Sequence, residues 1–186
     1  MKKLFKLLIL ITLIVLVANN IDFQKIKNDF LKKIYKTEYS TYVEKYAKEY
    51  DVDKYLVYAI IKAESNFDES AVSGKGAKGL MQLMYSTATE IAEKVDLNIT
   101  EETVMEPDIN INLGTKYIAI LIEKYENIGL ALTAYNAGSG NVDKWIEEKT
   151  LQKDGSDIEN IPFTETNNYV RKILRDYKIY NELYNQ

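Results

Sequence analysis

The segment Ser73–Met84 reads SGKGAKGLMQLM, and its glycines decide between two fold classes. Gly74, Gly76 and Gly79 match the G-x-G-x-x-G pattern of a dinucleotide-binding loop, which would require an α/β fold. Such a loop follows a β-strand and opens a helix within a βαβ unit. The residues before this segment instead have the apolar spacing of a helix, and no parallel strand pattern follows it. We therefore interpret the segment as a tight loop and not as a nucleotide site.

From position 41 onwards the apolar residues recur at helical spacing, and no stretch shows convincing strand alternation. This pattern predicts a mainly α-helical domain, with a short β-hairpin near residues 70–83 as an open alternative. Helices are predicted over residues 41–50, 53–65, 86–92, 107–123, 127–136, 142–148 and 164–184. Asp53 is the predicted cap of the second helix, and Ser86 or Thr87 is that of the third.

The composition excludes several classes of site. The chain has no His and no Cys, which removes Ser-His-Asp and Cys-His catalysis, disulfides and nearly all zinc sites. Acid–base chemistry must therefore use carboxylates, Tyr or Lys. A net charge of −4 makes nucleic acid a poor partner, because that binding depends on Lys and Arg neutralising phosphates. We predict neither a metal nor a cofactor.

The N-terminus reads MKKLFKLLILITLIVLVANN, in which lysines at positions 2, 3 and 6 precede an apolar run over 7–18. This layout is typical of a secretory signal peptide or an uncleaved membrane anchor, and both alternatives stay open for residues 1–18. Residues 19–40 are predicted to form a polar linker or a helical stalk, and residues 41–186 the folded domain. We expect an exported protein, either secreted or membrane-anchored, at the outer face of the cytoplasmic membrane.

Glu64 is the one carboxylate that stands out. At 100° per residue, it lies between Ile60 and Val57, on the helix face that should be buried. Burial disfavours the charged form and raises the pKa, and the negative end of the helix dipole acts in the same direction. A carboxyl that stays protonated near neutral pH can act as a general acid. The alternative interpretation is a Glu exposed at an ordinary helix end.

Four segments, in order, resemble the catalytic domain of soluble lytic transglycosylases, which are relatives of goose-type lysozyme. They are Ala63–Phe67 (AESNF), Gly76–Met84 (GAKGLMQLM), Ala134–Gly138 (AYNAG) and Ile161–Thr166 (IPFTET). The resemblance covers roughly residues 41–180 and implies a lysozyme-like α-helical fold with a long glycan groove. It also implies cleavage of the β-1,4 bond between N-acetylmuramic acid and N-acetylglucosamine in peptidoglycan, for cell-wall turnover or local wall opening.

By the same resemblance, Glu64 first protonates the leaving glycosidic oxygen and then takes the proton of the muramic C6 hydroxyl. That hydroxyl attacks C1 and closes a 1,6-anhydro ring. Most glycosidases use two carboxylates, whereas the sequence offers no convincing partner for Glu64, and a nucleophile supplied by the substrate needs none. Two alternatives stay open: a muramidase that uses water, and a peptidoglycan-binding module without activity.

The resemblance implies substrate-binding roles for Ser73, Gln82, Met84, Tyr135, Asn136 and Glu165. Tyr135 is also expected to hydrogen-bond the catalytic carboxyl. Two residues depart from the family pattern, since Tyr85 stands in place of a usual Pro and Asn167 in place of a common Arg. The implied partners are peptidoglycan glycan strands, and a protein partner in a secretion, conjugation or sporulation complex is an open alternative.

Overall fold

The computed structural model describes residues 23–185, together with Lys3, Lys6, Leu7 and Ile9. Apart from these four residues, the predicted signal peptide or anchor over 1–18 lies outside the described residues, as do the first residues of the predicted linker. The chain divides into two units, residues 1–36 and 37–186. Within the part that the structure describes, no helix is both long enough and apolar enough to cross a membrane.

The first unit contains helix α1 (Phe23–Ile34), in the region predicted as a linker or stalk. None of its twelve residues is buried.

Over its described residues, 37–185, the second unit contains seven α-helices. In chain order they are α2 (Ser40–Glu49), α3 (Lys54–Glu64), α4 (Tyr85–Lys94), α5 (Pro107–Tyr125), α6 (Ile128–Ala137), α7 (Ser139–Glu147) and α8 (Thr164–Tyr184). Two 3-10 turns, Thr103–Met105 and Ile158–Asn160, connect helices. The mainly α-helical prediction is confirmed. In place of a regular hairpin near residues 70–83, the loop has two isolated antiparallel bridges, Val72–Lys78 and Lys78–Leu83.

The core of this unit lies where α3 packs on α8 and α5 packs on α6. Residues 56–61 of α3 are each at most 1% exposed, so this helix is buried on nearly every side. α6 is equally enclosed, with residues 130–134 fully buried. Burying such apolar side chains is the main favourable contribution to folding, and here it also fixes the C-terminal ends of α3 and α6 beside the loop over 71–84.

A short polar side chain at the N-cap determines where a helix begins. The Asp53 carboxylate accepts a hydrogen bond from the Tyr55 amide at 2.8 Å, which confirms the predicted cap of α3. The predicted cap of α4 is wrong, because this helix begins at Tyr85 after Met84, and Ser86 and Thr87 lie within its first turn. The preceding loop sets this start, since the Met84 carbonyl already accepts a hydrogen bond from the Ala88 amide at 2.9 Å.

Candidate active site

A groove of about 650 Å³ lies in the second unit. Its walls come from the end of α3, the loop over 73–84, the end of α6 and the start of α8. The structure places all seven predicted site residues on this one groove: Glu64, Ser73, Gln82, Met84, Tyr135, Asn136 and Glu165. Lys75 and Phe163, which are not among the predicted site residues, line it as well.

Glu64 ends α3 and is half-buried in the groove. The Tyr169 hydroxyl donates a hydrogen bond to its Oε1 atom at 2.6 Å. Burial raises the pKa of Glu64 from 4.5 to about 7, while the Tyr169 hydrogen bond and the positive charge of Lys172 pull the pKa down in part. Desolvation therefore dominates, in the predicted direction. The carboxyl is close to half-protonated at neutral pH, as acid catalysis followed by base catalysis requires.

The hydrogen bond predicted from Tyr135 to Glu64 is wrong. The Tyr135 hydroxyl donates to the Met81 carbonyl oxygen at 2.8 Å, and its ring packs on that of Tyr117 with centroids 5.1 Å apart. Because the Met81 carbonyl accepts the hydrogen bond of the phenol, Tyr135 stabilises the loop that forms the groove wall. Tyr135 nevertheless lies close enough to Glu64 to feel its charge. Burial is the largest cause of the raised pKa of Tyr135, and the negative charge of Glu64 adds to it.

Tyr169 makes the contact with the acid that had been expected of Tyr135, and sequence reasoning missed it. It comes from α8, 105 residues further along the chain than Glu64. One signal was present: Thr166, Tyr169 and Lys172 recur every third residue and so share one face of α8. The partner of that face becomes visible only when α3 and α8 pack together.

The loop over 71–84 is fastened from below by Asn110 of α5, which is fully buried. Its Oδ1 accepts from the Met81 amide at 2.7 Å, and its Nδ2 donates to the Lys78 and Val104 carbonyls at 3.0 and 2.8 Å. Gly79 lies directly above with φ +74°, and a Cβ there would stand 2.6 Å from the Asn110 Nδ2. Only glycine satisfies both constraints without strain.

Two predicted binding residues, Gln82 and Ser73, make hydrogen bonds within the loop itself. Gln82 has φ +48°, and its Nε2 donates to the Ala71 and Gly79 carbonyls at 3.0 and 2.9 Å. Because both amide hydrogens have acceptors in the loop, Gln82 can meet a sugar only through its Oε1. The Ser73 hydroxyl oxygen accepts from the Ala77 amide at 3.0 Å, which leaves the hydroxyl hydrogen to donate.

The opposite wall joins α6 to the start of α8. The Asn136 Oδ1 accepts a hydrogen bond from the buried Thr166 hydroxyl at 2.8 Å. Glu165 lies exposed in the first turn of α8. Phe163 is 48% exposed and meets the buried Trp145 ring edge-on, and Met84, 42% exposed, offers a second apolar surface. The groove therefore combines polar groups with apolar surface, as ligand sites commonly do.

The described residues contain no cluster of three or more acidic side chains that could hold a metal ion. A second depression, of about 730 Å³, is lined by the end of α5, by α7 and by Lys153 and Asp154. There the Asp143 carboxylate is already paired with Lys124 Nζ at 2.6 Å and with the Tyr125 hydroxyl at 2.9 Å. Such a satisfied carboxylate is a poor acid, and the pKa of Asp143 is lowered. The Glu64 groove is therefore the better candidate for acid–base chemistry.

Comparisons with known proteins identify the family of this chain. The family described as Transglycosylase SLT domain matches residues 41–158. The soluble lytic murein transglycosylase of Salmonella typhimurium is 32% identical over 150 residues, which cover 78% of this chain and 23% of that protein. Membrane-bound lytic murein transglycosylase C of Serratia proteamaculans is 32% identical over 137 residues, covering 68% of this chain and 38% of that protein.

A solved structure of a lytic transglycosylase is similar to this chain. The lytic transglycosylase Slt of Pseudomonas aeruginosa, determined by X-ray diffraction as an inactive Glu-to-Gln mutant, is 34% identical with a TM-score of 0.75. The similarity covers 82% of this chain and 25% of that one. This chain spans about a quarter of the length of the soluble relatives that it matches. The family match covers more than half of the chain and includes both α3 and the groove loop, so this chain belongs to the Transglycosylase SLT domain family.

Proposed function

We propose that the chain is a peptidoglycan lytic transglycosylase, which cleaves the β-1,4 bond between N-acetylmuramic acid and N-acetylglucosamine and leaves a 1,6-anhydromuramic end. One observation carries the proposal above all: Glu64 lies half-buried in an open groove, with its pKa raised to about 7 and Tyr169 bonded to it. The names of the relatives, lytic murein transglycosylases, support the same substrate class.

The proposed reaction uses Glu64 twice. Its carboxyl proton passes to the glycosidic oxygen as the C1–O bond breaks, and N-acetylglucosamine leaves with that proton. The C6 hydroxyl of the muramic sugar then attacks C1, and its proton returns to the Glu64 carboxylate. Tyr169 and Lys172 favour the carboxylate, so they stabilise the state between the two proton transfers. The cycle closes without consuming water.

The surroundings of Glu64 support a nucleophile from the substrate. A retaining glycosidase places a second carboxylate about 5 to 5.5 Å from the first, and an ionised neighbour at such a distance raises the pKa. Among the described residues, the groups that shift the Glu64 pKa besides burial are Tyr169 and Lys172, and neither is a carboxylate. Because ring closure is intramolecular, holding the sugar in position can supply much of the rate.

The groove offers suitable contacts for a glycan strand. We assign sugar binding to the Gln82 Oε1, the Ser73 hydroxyl and Asn136, because each presents a polar group beside the acid. Met84 and Glu165 complete the proposed binding set, with Met84 supplying apolar surface. Tyr135 takes part by holding the Met81 carbonyl and hence the loop.

We propose that the chain acts outside the cytoplasmic membrane, where peptidoglycan lies. The charged and apolar N-terminal pattern and the membrane-bound relative support export. Cleavage of the first segment and its retention as an anchor are both predictions. A protein partner in a secretion, conjugation or sporulation complex is a further prediction.

The test is digestion of purified peptidoglycan in heavy-oxygen water, followed by mass spectrometry of the products. A transglycosylase yields anhydro-ended muropeptides without label. A muramidase yields reducing ends that carry the label, and this result would replace the proposed reaction by hydrolysis. Intact glycan with retained binding would point to the non-catalytic module.

Matched variants connect the product to the groove. Glu64→Gln should yield no cleavage, whereas Glu93→Gln, an exposed position on α4, should cleave at the wild-type rate. Glu165→Gln should still yield anhydro ends, because no second carboxylate enters the chemistry. If this last variant binds glycan but no longer cleaves it, Glu165 would instead be the catalytic base of a hydrolase.

A further inference from the structure

Helix α1 separates its apolar and polar residues more strongly than any other helix of the described chain. Phe23, Ile26, Phe30 and Ile34 fall within an arc of about 80° at 100° per residue. Their exposed fractions are 67%, 58%, 62% and 43%, in that order. Four large apolar side chains in one exposed row form a patch that soluble surfaces rarely present without a partner.

The same helix is basic, although the whole chain has a net charge of −4. Its four lysines, Lys25, Lys27, Lys32 and Lys33, stand against one acidic residue, Asp29, which leaves a charge of +3. Lys27 and Lys33 border the apolar arc on either side, each about 20° beyond it. Lysines in such positions can extend their stems along apolar surface while the ammonium groups reach headgroups or water.

Other partners fit these features less well. Twelve residues cannot cross a bilayer, which needs about 20. A coiled coil requires an apolar repeat sustained over about three heptads or more, and α1 holds fewer than two. A helix that is a solvated spacer would gain nothing from a single apolar face. A short helix with an aromatic and aliphatic face and a lysine-rich remainder has the composition of an interfacial helix.

We propose that α1 lies in the surface of an anionic lipid bilayer. Phe23, Ile26, Phe30 and Ile34 enter the boundary between headgroups and acyl chains, and Lys27 and Lys33 meet the anionic headgroups. The helix follows the apolar run over 7–18 by only a few residues, which places it next to the membrane if that run is retained. If the run is cleaved, α1 provides membrane attachment by itself. The proposal is independent of the Glu64 reaction.

The absence of cysteine from the sequence makes a clean experiment available. Phe30→Cys and Asn28→Cys would each be labelled in the full chain with an environment-sensitive NBD fluorophore. The two positions lie about 160° apart around the helix, and neither substitution changes the charge. The labelled proteins are mixed with vesicles of phosphatidylcholine alone, or with phosphatidylglycerol added, and emission and quenching by spin-labelled lipid are recorded.

The expected result is a blue-shifted, lipid-quenched probe at position 30 on the anionic vesicles and a water-like probe at position 28. Lys27→Gln/Lys33→Gln should return the probe at position 30 towards water, with a loss in partition on the order of fivefold per lysine. Ile26→Cys should behave as Phe30→Cys does, which guards against a local effect of one label.

Three outcomes would overturn the proposal. Water-like emission at both positions would make α1 a solvated stalk. Equal lipid quenching at both would indicate a helix surrounded by lipid, not one lying in the surface. A probe at position 30 that is shielded without vesicles, and more so at higher protein concentration, would assign the apolar face to a second copy of the chain.

Discussion

Glu64→Gln is expected to stop cleavage and, at neutral and alkaline pH, to stabilise the folded chain. The carboxyl is half-buried, and desolvation is the largest cause of its raised pKa. Gln has nearly the same shape and keeps a carbonyl oxygen that can accept from the Tyr169 hydroxyl, which lies 2.6 Å from the Glu64 Oε1 in the wild type. The substitution therefore removes the cost of a buried charge while retaining the main contact.

The size and the pH window of this effect follow from the pKa. Below 4.5 the carboxyl is protonated in the folded and the unfolded chain, so the charge costs nothing. Between 4.5 and about 7 the unfolded chain ionises first, and stability falls as the pH rises. Above this window both states are ionised and the cost is complete. A shift from 4.5 to about 7, at 1.36 kcal/mol per pKa unit, corresponds to about 3 kcal/mol.

The assay is urea unfolding near pH 4.5 and near pH 8, which bracket the window in which the carboxyl titrates. Trp145 is the only tryptophan and is 6% exposed, so its fluorescence reports loss of the core. Glu64→Gln should unfold with a free energy about 3 kcal/mol above wild type near pH 8, and with less than about 1 kcal/mol of difference near pH 4.5. Glu93→Gln, on the surface of α4, should differ little at either pH.

Equal stability differences at the two pH values would refute the reasoning, because no desolvated charge would then be lost. A variant less stable than wild type near pH 8 would contradict it more directly. It would mean that the ionised carboxylate contributes favourably to the fold, and that the hydrogen bond from Tyr169 outweighs desolvation.

Three further substitutions probe the groups around the site. Tyr169→Phe removes a hydrogen bond that lowers the Glu64 pKa, so the pH–rate profile should move to higher pH and kcat should fall on the order of tenfold; an unmoved profile would deny the contact. Asp176→Ala removes a fully buried carboxylate that pairs with Lys62 at 2.9 Å and with Arg175 at 3.0 Å, and should cost about 3 to 5 kcal/mol in urea unfolding, whereas a loss under 1 kcal/mol would show the pairs to be solvated. Gly79→Ala forces a Cβ into the φ +74° backbone and should lower the unfolding free energy by about 2 kcal/mol; unchanged stability and activity would show that the loop can shift.

What could be predicted from sequence was local. The cap at Asp53 and the burial of Glu64 both follow from residues within one helix, where spacing alone sets direction. The start of α4 could not be predicted in this way, because the preceding loop fixes it, and Asn110, distant in sequence, holds that loop.

The two tyrosines show the same limit at the site. Resemblance placed Tyr135 near the acid correctly, yet its hydroxyl bonds the Met81 carbonyl. Tyr169 was invisible because a tyrosine on an amphipathic helix is ordinary until its packing partner is known. A hydrogen bond between residues 105 positions apart is a property of tertiary packing, which no single-helix pattern contains.

The packing of α3 on α8 links stability to the proposed chemistry. Along one side of α8, Tyr169, Lys172 and Asp176 recur at spacings of three and four and meet α3 in succession. Tyr169 bonds the Glu64 carboxylate, Lys172 donates to the Ala63 carbonyl at 3.3 Å, and Asp176 pairs with Lys62. The first two act on the acid itself, because both lower its pKa. A shift of α8 by one turn would therefore break the buried ion pair and release the acid together. Burial raises the pKa of Glu64, and Tyr169 and Lys172 of α8 limit that rise. The value of this pKa thus depends on a helix whose residues lie beyond the family match over residues 41–158.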